Sequence, residues 1–265
     1  MRIRSTAFLV VSALLTVVRA ASAHDTFIMP DAFRVSPGQT IVVGFHSADG
    51  FPESSGAMRR LQEPAVRSAS GVLPITDVKP DGKRLAGTFV VPGAGHLVLS
   101  AVNGVMVEGM KADEFLEYLV EEGLTGAIDA HKRSAPSNAE PRERYTMYAK
   151  AILLSGAASD AWRTVVGQPI EIVPDKDPYA LKPGESLPVH VLLRGRPAPN
   201  LLVKAASTAP NGAQHDVGRT DANGRLEVPV SAGKWRLHTI AMEQVQNDTD
   251  AQWESHWATL TFEVP

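Results

Sequence analysis

Short runs of alternating apolar and polar residues, separated by Pro-Gly and Gly turns, recur along this chain, and two of the patterns occur in both halves. Val35-Ser36-Pro37-Gly38-Gln39-Thr40-Ile41-Val42-Val43 is matched by Leu181-Lys182-Pro183-Gly184-Glu185-Ser186-Leu187-Pro188-Val189. Each has an apolar residue, a Pro-Gly turn and then a strand. Gly87-Thr88-Phe89-Val90-Val91-Pro92, followed by Gly95 and Leu97 to Leu99, is matched by Gly224-Arg225-Leu226-Glu227-Val228-Pro229, followed by Gly233 and Trp235 to His238. A period of two marks strands with one buried face. Many short strands with regular turns predict a mainly β protein built from two immunoglobulin-like sandwich modules. The repeated order arises either from duplication or because sandwiches reuse the same turns.

The segment between the halves differs. From Asp113 to Leu124, the residues Phe115, Leu116, Leu119 and Val120 fall at helical spacing, with Gly123 as a stop. The polar stretch from His131 to Glu140 reads as a surface loop. Pro141 suits the first turn of a second helix running towards Leu154, with Tyr145, Tyr148, Ala149 and Ile152 along one side and Gly156 as its end. The expected organisation is an N-terminal sandwich over 24–110, a helical connecting segment over 111–160 and a C-terminal sandwich over 161–265.

Residues 1–23 carry the marks of a secretory signal peptide: Arg2 and Arg4, an apolar run from Phe8 to Val18, and Ala21-Ser22-Ala23 before the expected cleavage. The run is too short for a membrane span and Arg19 ends it, so a cleaved leader and a periplasmic protein, not embedded in the membrane, are expected. Cleavage makes His24 the first residue, placing a free α-amine beside an imidazole. Both groups lose their protons near neutral pH, and together they can chelate one metal ion. Imidazole suits copper, nickel, zinc and iron. The plainer reading is that some residue must follow the leader, and here it is His.

Composition limits the alternatives. Hydrophobic residues at 44% and charged residues at 21% predict a folded core. The formal net charge of −3 becomes −6 once Arg2, Arg4 and Arg19 are removed, which offers no basic face for nucleic acid. Cysteine is absent, so a metal would have to be held by His, carboxylate, amide, Met or the terminal amine.

A second group of candidate ligands lies in the final hairpin. If strands Trp235 to Ile240 and Ser255 to Phe262 turn about Asn247, His238 stands directly opposite His256, close enough for two imidazoles to share an ion. A one-residue slip would separate them. The alternative is two half-buried histidines among Trp235, Trp253 and Trp257. His46, after the strand Ile41-Val42-Val43-Gly44-Phe45, is a reserve ligand, and Asp25 is placed to orient an imidazole. His96 reads as a turn residue, and His131, His190 and His215 as structural or solvated. Hydrolase, metalloprotease, phosphate-loop and dinucleotide signatures do not occur, so no enzyme activity is read from the motifs.

Taken together, several stretches resemble a known family. They are His24-Asp25-Thr26-Phe27, Asp113-Glu114-Phe115-Leu116-Glu117-Tyr118-Leu119-Val120-Glu121-Glu122-Gly123-Leu124, Arg142-Glu143-Arg144-Tyr145 with Tyr148-Ala149-Lys150, Glu171-Ile172-Val173-Pro174 with Asp177-Pro178, and Ser255-His256-Trp257-Ala258-Thr259-Leu260-Thr261-Phe262. This is similar to domain-of-unknown-function family 4198, exported bacterial proteins grouped with periplasmic components of cobalt and nickel uptake. The resemblance implies a β-sandwich followed by a second of transthyretin or carboxypeptidase-regulatory type, whose Thr-Asp-x-x-Gly turn is matched by Thr220-Asp221-Ala222-Asn223-Gly224. It also implies a His at the first position after the leader, which His24 supplies.

The expected function is a periplasmic metal-binding protein without catalysis, handling a transition-metal ion (nickel, cobalt or copper). Its ligands would be His24, His238 and His256 with His46 in reserve, and a membrane metal transporter is a candidate partner. Two alternatives stay open: an envelope interaction or adhesion module without metal, and a copper-dependent oxidase of the histidine-brace type. Nitrogen donors favour copper over nickel and cobalt almost regardless of site, so the residues do not name the metal.

Overall fold

The computed structural model describes residues 24–134, 140–182 and 184–265; the expected leader, residues 1–23, residues 135–139 of the expected loop, and Pro183 lie outside them. The described residues are mainly β, in three sheets. A nine-stranded sheet runs in the order His215–Arg219, Leu202–Ser207, Gly233–Gln244, Trp253–Val264, Arg142–Ser155, Gly95–Gly109, Leu61–Ser68 and Gly71–Pro74, with Arg34–Val35 against Arg142–Ser155. An N-terminal sheet holds Asp25–Pro30, Thr40–Ala48, Arg84–Val90 and Thr76–Asp81, with Gly56–Ala57 beside Thr40–Ala48. A C-terminal sheet holds Ile170–Pro174, Ser186–Leu193 and Arg196–Pro197, with Arg225–Pro229 beside Ser186–Leu193. Strands from both halves thus meet in one sheet.

Alternation along Trp253–Val264 assigns the faces of that sheet. The hydroxyls of Thr259 and Thr261 donate to the carbonyls of Thr26 (2.7 Å) and Ile28 (2.6 Å), so odd-numbered residues face the N-terminal sheet. Leu260 and Phe262 point the other way, towards the C-terminal sheet, where buried Ile170, Ile172 and Val189 add to the core. The nine-stranded sheet is therefore the middle layer.

The internal echo has the same pairing in both halves. Thr40–Ala48 pairs antiparallel with Arg84–Val90, and Ser186–Leu193 pairs antiparallel with Arg225–Pro229. Gly38 and Gly184, which follow the prolines, take φ of +79° and +83°, a conformation that glycine adopts without steric cost.

The middle segment departs from expectation in two places. The helix expected from Asp113 to Leu124 is present as α1, Ala112–Glu121, and Gly123 follows it with φ +61°. Its N-terminus has no side-chain cap, so packing holds it. Phe115 and Leu119 are fully buried and Tyr118 nearly so, against Trp253, Trp257 and Met147. Each such side chain contributes about 1.5–3 kcal/mol, against about 1 kcal/mol for a cap. The loop expected from His131 begins instead within α2, Thr125–Ser134.

The second expected helix is a strand, Arg142–Ser155, in the middle of the large sheet. It runs parallel to Trp253–Val264 and antiparallel to Gly95–Gly109. Every residue from Thr146 to Ser155 is buried, because both faces are covered. A strand covered on both faces loses its polar alternation, and Tyr145, Tyr148, Ala149 and Ile152 then imitate helical spacing.

Candidate functional site

The first described strand starts with a buried charge. All six residues of Asp25–Pro30 are buried, and Asp25 is 4% exposed. Its Oδ2 lies 2.9 Å from the Arg236 guanidinium and its Oδ1 pairs with His238 Nδ1. Both partners project from Gly233–Gln244, two residues apart and hence on one face. His238 Nε2 is 3.5 Å from Glu122 Oε2, which also pairs with Lys204 Nζ at 2.9 Å. Lys204 stands opposite His238 on the adjacent strand and donates to Glu121 O at 2.8 Å. An ammonium at the C-terminal end of α1 also complements that helix's dipole. The Arg236 guanidinium lies over Phe27 and Phe51, 5.3 and 5.8 Å from the ring centres.

These buried charges hold one another in their ionised forms. Burial alone would lower the pKa of His238, but the carboxylates of Asp25 and Glu122 more than offset it and push the value up to about 9. For Asp25 burial works upward, and the cations His238, Arg236 and Lys204 bring its carboxyl below the ordinary value. Asp25 is consequently fixed, and so is the backbone that leads out of it to His24.

His24 sits at the surface, half exposed, with Nδ1 2.6 Å from Asp49 Oδ1, whose side chain is equally exposed. Asp49 follows Ala48, the residue paired with Asp25, so the strand pairing itself carries the imidazole to the carboxylate. The two groups supply a ring nitrogen and a carboxylate oxygen side by side.

The other candidate ligands do not join them. His238 faces Thr259, and His256 faces Ala241. The hairpin is offset by three residues from the register centred on Asn247, which puts the two imidazoles on opposite faces of the sheet and corrects the expected pairing. The loop explains the offset: Asp248 Oδ1 accepts from the N–H groups of Asp250 (2.8 Å) and Ala251 (3.1 Å), while its other oxygen pairs with Arg144 at 2.6 Å. That side-chain turn moves the apex beyond Asn247. His256 lies against the Tyr148 ring, 6.0 Å between centres.

His46 stacks on Phe27 at 5.0 Å, 6% exposed, with no hydrogen-bond partner for either nitrogen among the described residues. Burial, then Arg84, lowers its pKa to about 4, so it is neutral at physiological pH. His96, read from sequence as a turn residue, is buried, with Nε2 3.0 Å from Asp177 and Nδ1 against Ser159. His131 packs on Phe115 and His190 bonds Asp175. Among the described residues no three His, Asp or Glu side chains form a ligating group. Sequence reasoning missed Glu122, Lys204 and Arg236. Basic residues within strands were the available signal.

A second buried carboxyl lies beneath α1. Glu143 accepts from Tyr118 (3.1 Å) and Ser255, and Ser255 in turn accepts from Trp257 Nε1 at 2.8 Å. Burial raises its pKa to about 7 despite the Ser255 and Tyr118 hydrogen bonds. A raised carboxyl stabilises the fold below its unfolded pKa, and the benefit is lost as pH rises through about 7, a span worth roughly 3 kcal/mol. Glu143→Gln is expected to remove that dependence. Its melting temperature should change less between pH 5 and pH 8 than that of the parent, and an equal change would contradict the assignment.

The family model of the Domain of unknown function (DUF4198) matches residues 21–243. The chain belongs to the DUF4198 family. No curated protein matches this DUF4198 chain in sequence. It shows a likeness to the mouse nectin-like molecule 4 full ectodomain (Ig1-Ig3), with 12% identity over 91% of the chain and 64% of that structure, at a TM-score of 0.19. It is also similar to the Yersinia pseudotuberculosis adhesin InvE, with 14% identity over 91% of the chain and 59% of that structure, at 0.22. The human OSCAR ligand-binding domain matches with 10% identity over 88% of the chain and 97% of that structure, at 0.19. The DUF4198 chain thus spans less than two thirds of the first two. At these TM-scores the likenesses carry no argument.

Proposed function

We propose that this DUF4198 protein is exported to the periplasm and binds a transition-metal ion (nickel, cobalt or copper), serving as an accessory of metal uptake without catalysis of its own. The observation that carries this reading is the imidazole of His24 beside the Asp49 carboxylate, directly before Asp25, a residue pinned by buried ion pairs. Once the leader is cleaved, the α-amine and imidazole of His24 chelate the ion and Asp49 adds a carboxylate oxygen, an N/O donor set suited to these metals. His238 acts through Asp25 by holding the start of the strand. His46, neutral and with no hydrogen-bond partner among the described residues, remains the reserve nitrogen on the same pair of strands. The finer fold that accompanies this reading is two transthyretin- or immunoglobulin-like sandwiches that share the central sheet.

The test is calorimetric titration with nickel, cobalt and copper of three forms: the chain starting at His24, the same chain with one extra N-terminal Ala, and Asp49→Ala. One-to-one binding, weakened about tenfold or more by the extension and by roughly 10–100-fold in Asp49→Ala, is expected. Affinity should fall as pH drops through the imidazole and amine range, because the ligands must be deprotonated. Equal affinity with and without the extra Ala would sink the proposal.

A further inference from the structure

The face of the central sheet turned away from Asp25 carries a cavity of about 370 Å³. Its lining includes Gln62, Arg67, Ser100, Thr146, Tyr148 and Gln168. The sheet is irregular around it. Leu61–Ser68 shifts register against Gly95–Gly109 between Gln62 and Ala65, and Arg142–Ser155 shifts against the same strand between Tyr145 and Met147. The extra residue lies on Leu61–Ser68 in the first shift, opposite Ser100 to Val102, and on Gly95–Gly109 itself in the second, between Asn103 and Met106. Two bulges therefore adjoin beside the cavity, and bulges of this kind re-aim side chains beside binding sites. Glu63 has φ +51° within the first bulge, a left-handed conformation that a non-glycine residue adopts at a cost. Gly104 lets the Gln62 side chain lie against the backbone, since a Cβ there would be 2.6 Å from Gln62 Nε2.

The far wall is held rigidly. Glu171 accepts the backbone N–H groups of Val166 (2.9 Å), Gly167 (2.5 Å) and Gln168 (2.9 Å), and its charge is matched by buried Lys150 at 3.0 Å. Gln168 Nε2 also donates to Ala101 O at 3.3 Å. Arg67 is different: it is the one cationic side chain of the lining, it donates to Ser100 Oγ, and it forms no ion pair among the described residues. Glu63, the one carboxylate of the lining, is exposed on the bulge, where water and salt screen it.

We infer that this cavity binds a small hydroxylated carboxylate of the sugar-acid or hydroxy-acid class. The Arg67 guanidinium, oriented by Ser100, takes the carboxylate through its fork of N–H donors. Thr146, Gln62 and Gln168 offer hydroxyl and amide groups to the ligand's hydroxyls, and the Tyr148 ring gives its carbon skeleton a flat apolar surface. The volume lies at the small end of ligand sites, which suits a monosaccharide-sized molecule. The site is separate from His24, on the opposite face of the sheet.

The experiment is calorimetric titration of the metal-free protein with D-gluconate and D-glucuronate, with D-glucose as the neutral counterpart, repeated on Arg67→Gln, Arg67→Lys and His24→Ala. Saturable binding of an acid is expected, weakened about tenfold or more in Arg67→Gln, partly retained in Arg67→Lys and unchanged in His24→Ala. No saturable binding of either acid, equal binding of glucose, or undiminished binding in Arg67→Gln would each overturn the inference. Circular dichroism of the variants confirms that they fold, since Arg67 is only half-buried.

Discussion

Asp25→Ala is expected to destabilise the protein by about 3–5 kcal/mol, the range for removing one partner from a buried ion pair. The loss comes mainly from what remains: the Arg236 guanidinium and the His238 imidazolium, both buried, would face each other without their shared carboxylate. Chemical denaturation, read as a fall in the midpoint at unchanged slope, measures it. A change below 1 kcal/mol would show that the charges relax into solvent. The same network sets a pH signature. The folded pKa of His238 is raised to about 9, so its stabilisation is complete below the unfolded value near 6.5 and is lost as pH rises through 9. That interval corresponds to roughly 3 kcal/mol. Asp25 and Glu122 have lowered pKa values, so their contributions are present above the ordinary carboxylate range and are lost on acidification. His238→Gln should flatten the alkaline limb of a melting-temperature profile between pH 6 and pH 10 and leave the acid limb. Asp25→Ala should also loosen His24 and weaken metal binding.

Glu171→Ala should cost a comparable amount by a different route. Its carboxylate is the acceptor for three consecutive backbone N–H groups and the partner of Lys150, which is 2% exposed. Removal leaves Lys150 with two long contacts, to Ile172 O at 3.3 Å and Thr164 O at 3.4 Å, and leaves the three donors without their acceptor. A buried group left unsatisfied costs about 1–3 kcal/mol, more when charged. The double replacement Lys150→Met with Glu171→Gln removes both charges but keeps an acceptor oxygen for the loop. It is expected to recover most of the loss, because neutral replacements of buried pairs are often tolerated. Urea denaturation of the single and double variants decides the matter. A double variant no better than Glu171→Ala would mean that the charges themselves hold the loop.

How much was legible in the sequence varies with the range of the interaction. The Pro-Gly turns and the Thr220–Gly224 turn were readable because their geometry is local. Asp221 Oδ1 accepts from Asn223 N and Arg225 N, both at 2.8 Å, and Gly224 takes φ +72°, all within five residues. The helix α1 was readable because one face alone is buried, so its period survives. The strand Arg142–Ser155 was not, because burial on both faces erased its alternation and Pro141 mimicked a helix start. For the site, His24 stood out through its place after a leader-like segment. The Asp49 carboxylate beside it, and the ion pairs that fix Asp25, lay 25 and more than 200 residues away.

By itself, the sequence determined the mainly β class, the repeated strand order, the first helix and the family. Each follows from short-range periodicity, from turn residues whose backbone preferences are intrinsic, or from motifs read directly. Only the tertiary structure decided that both halves share one sheet, that His238 and His256 face apart, and that a cavity opens beside two adjoining bulges. Strand register is set by hydrogen bonds and side-chain turns between partners, and a slip of an odd number of residues reverses every side chain. No local pattern encodes that parity. It emerged when Asp248 took its own turn and paired with Arg144.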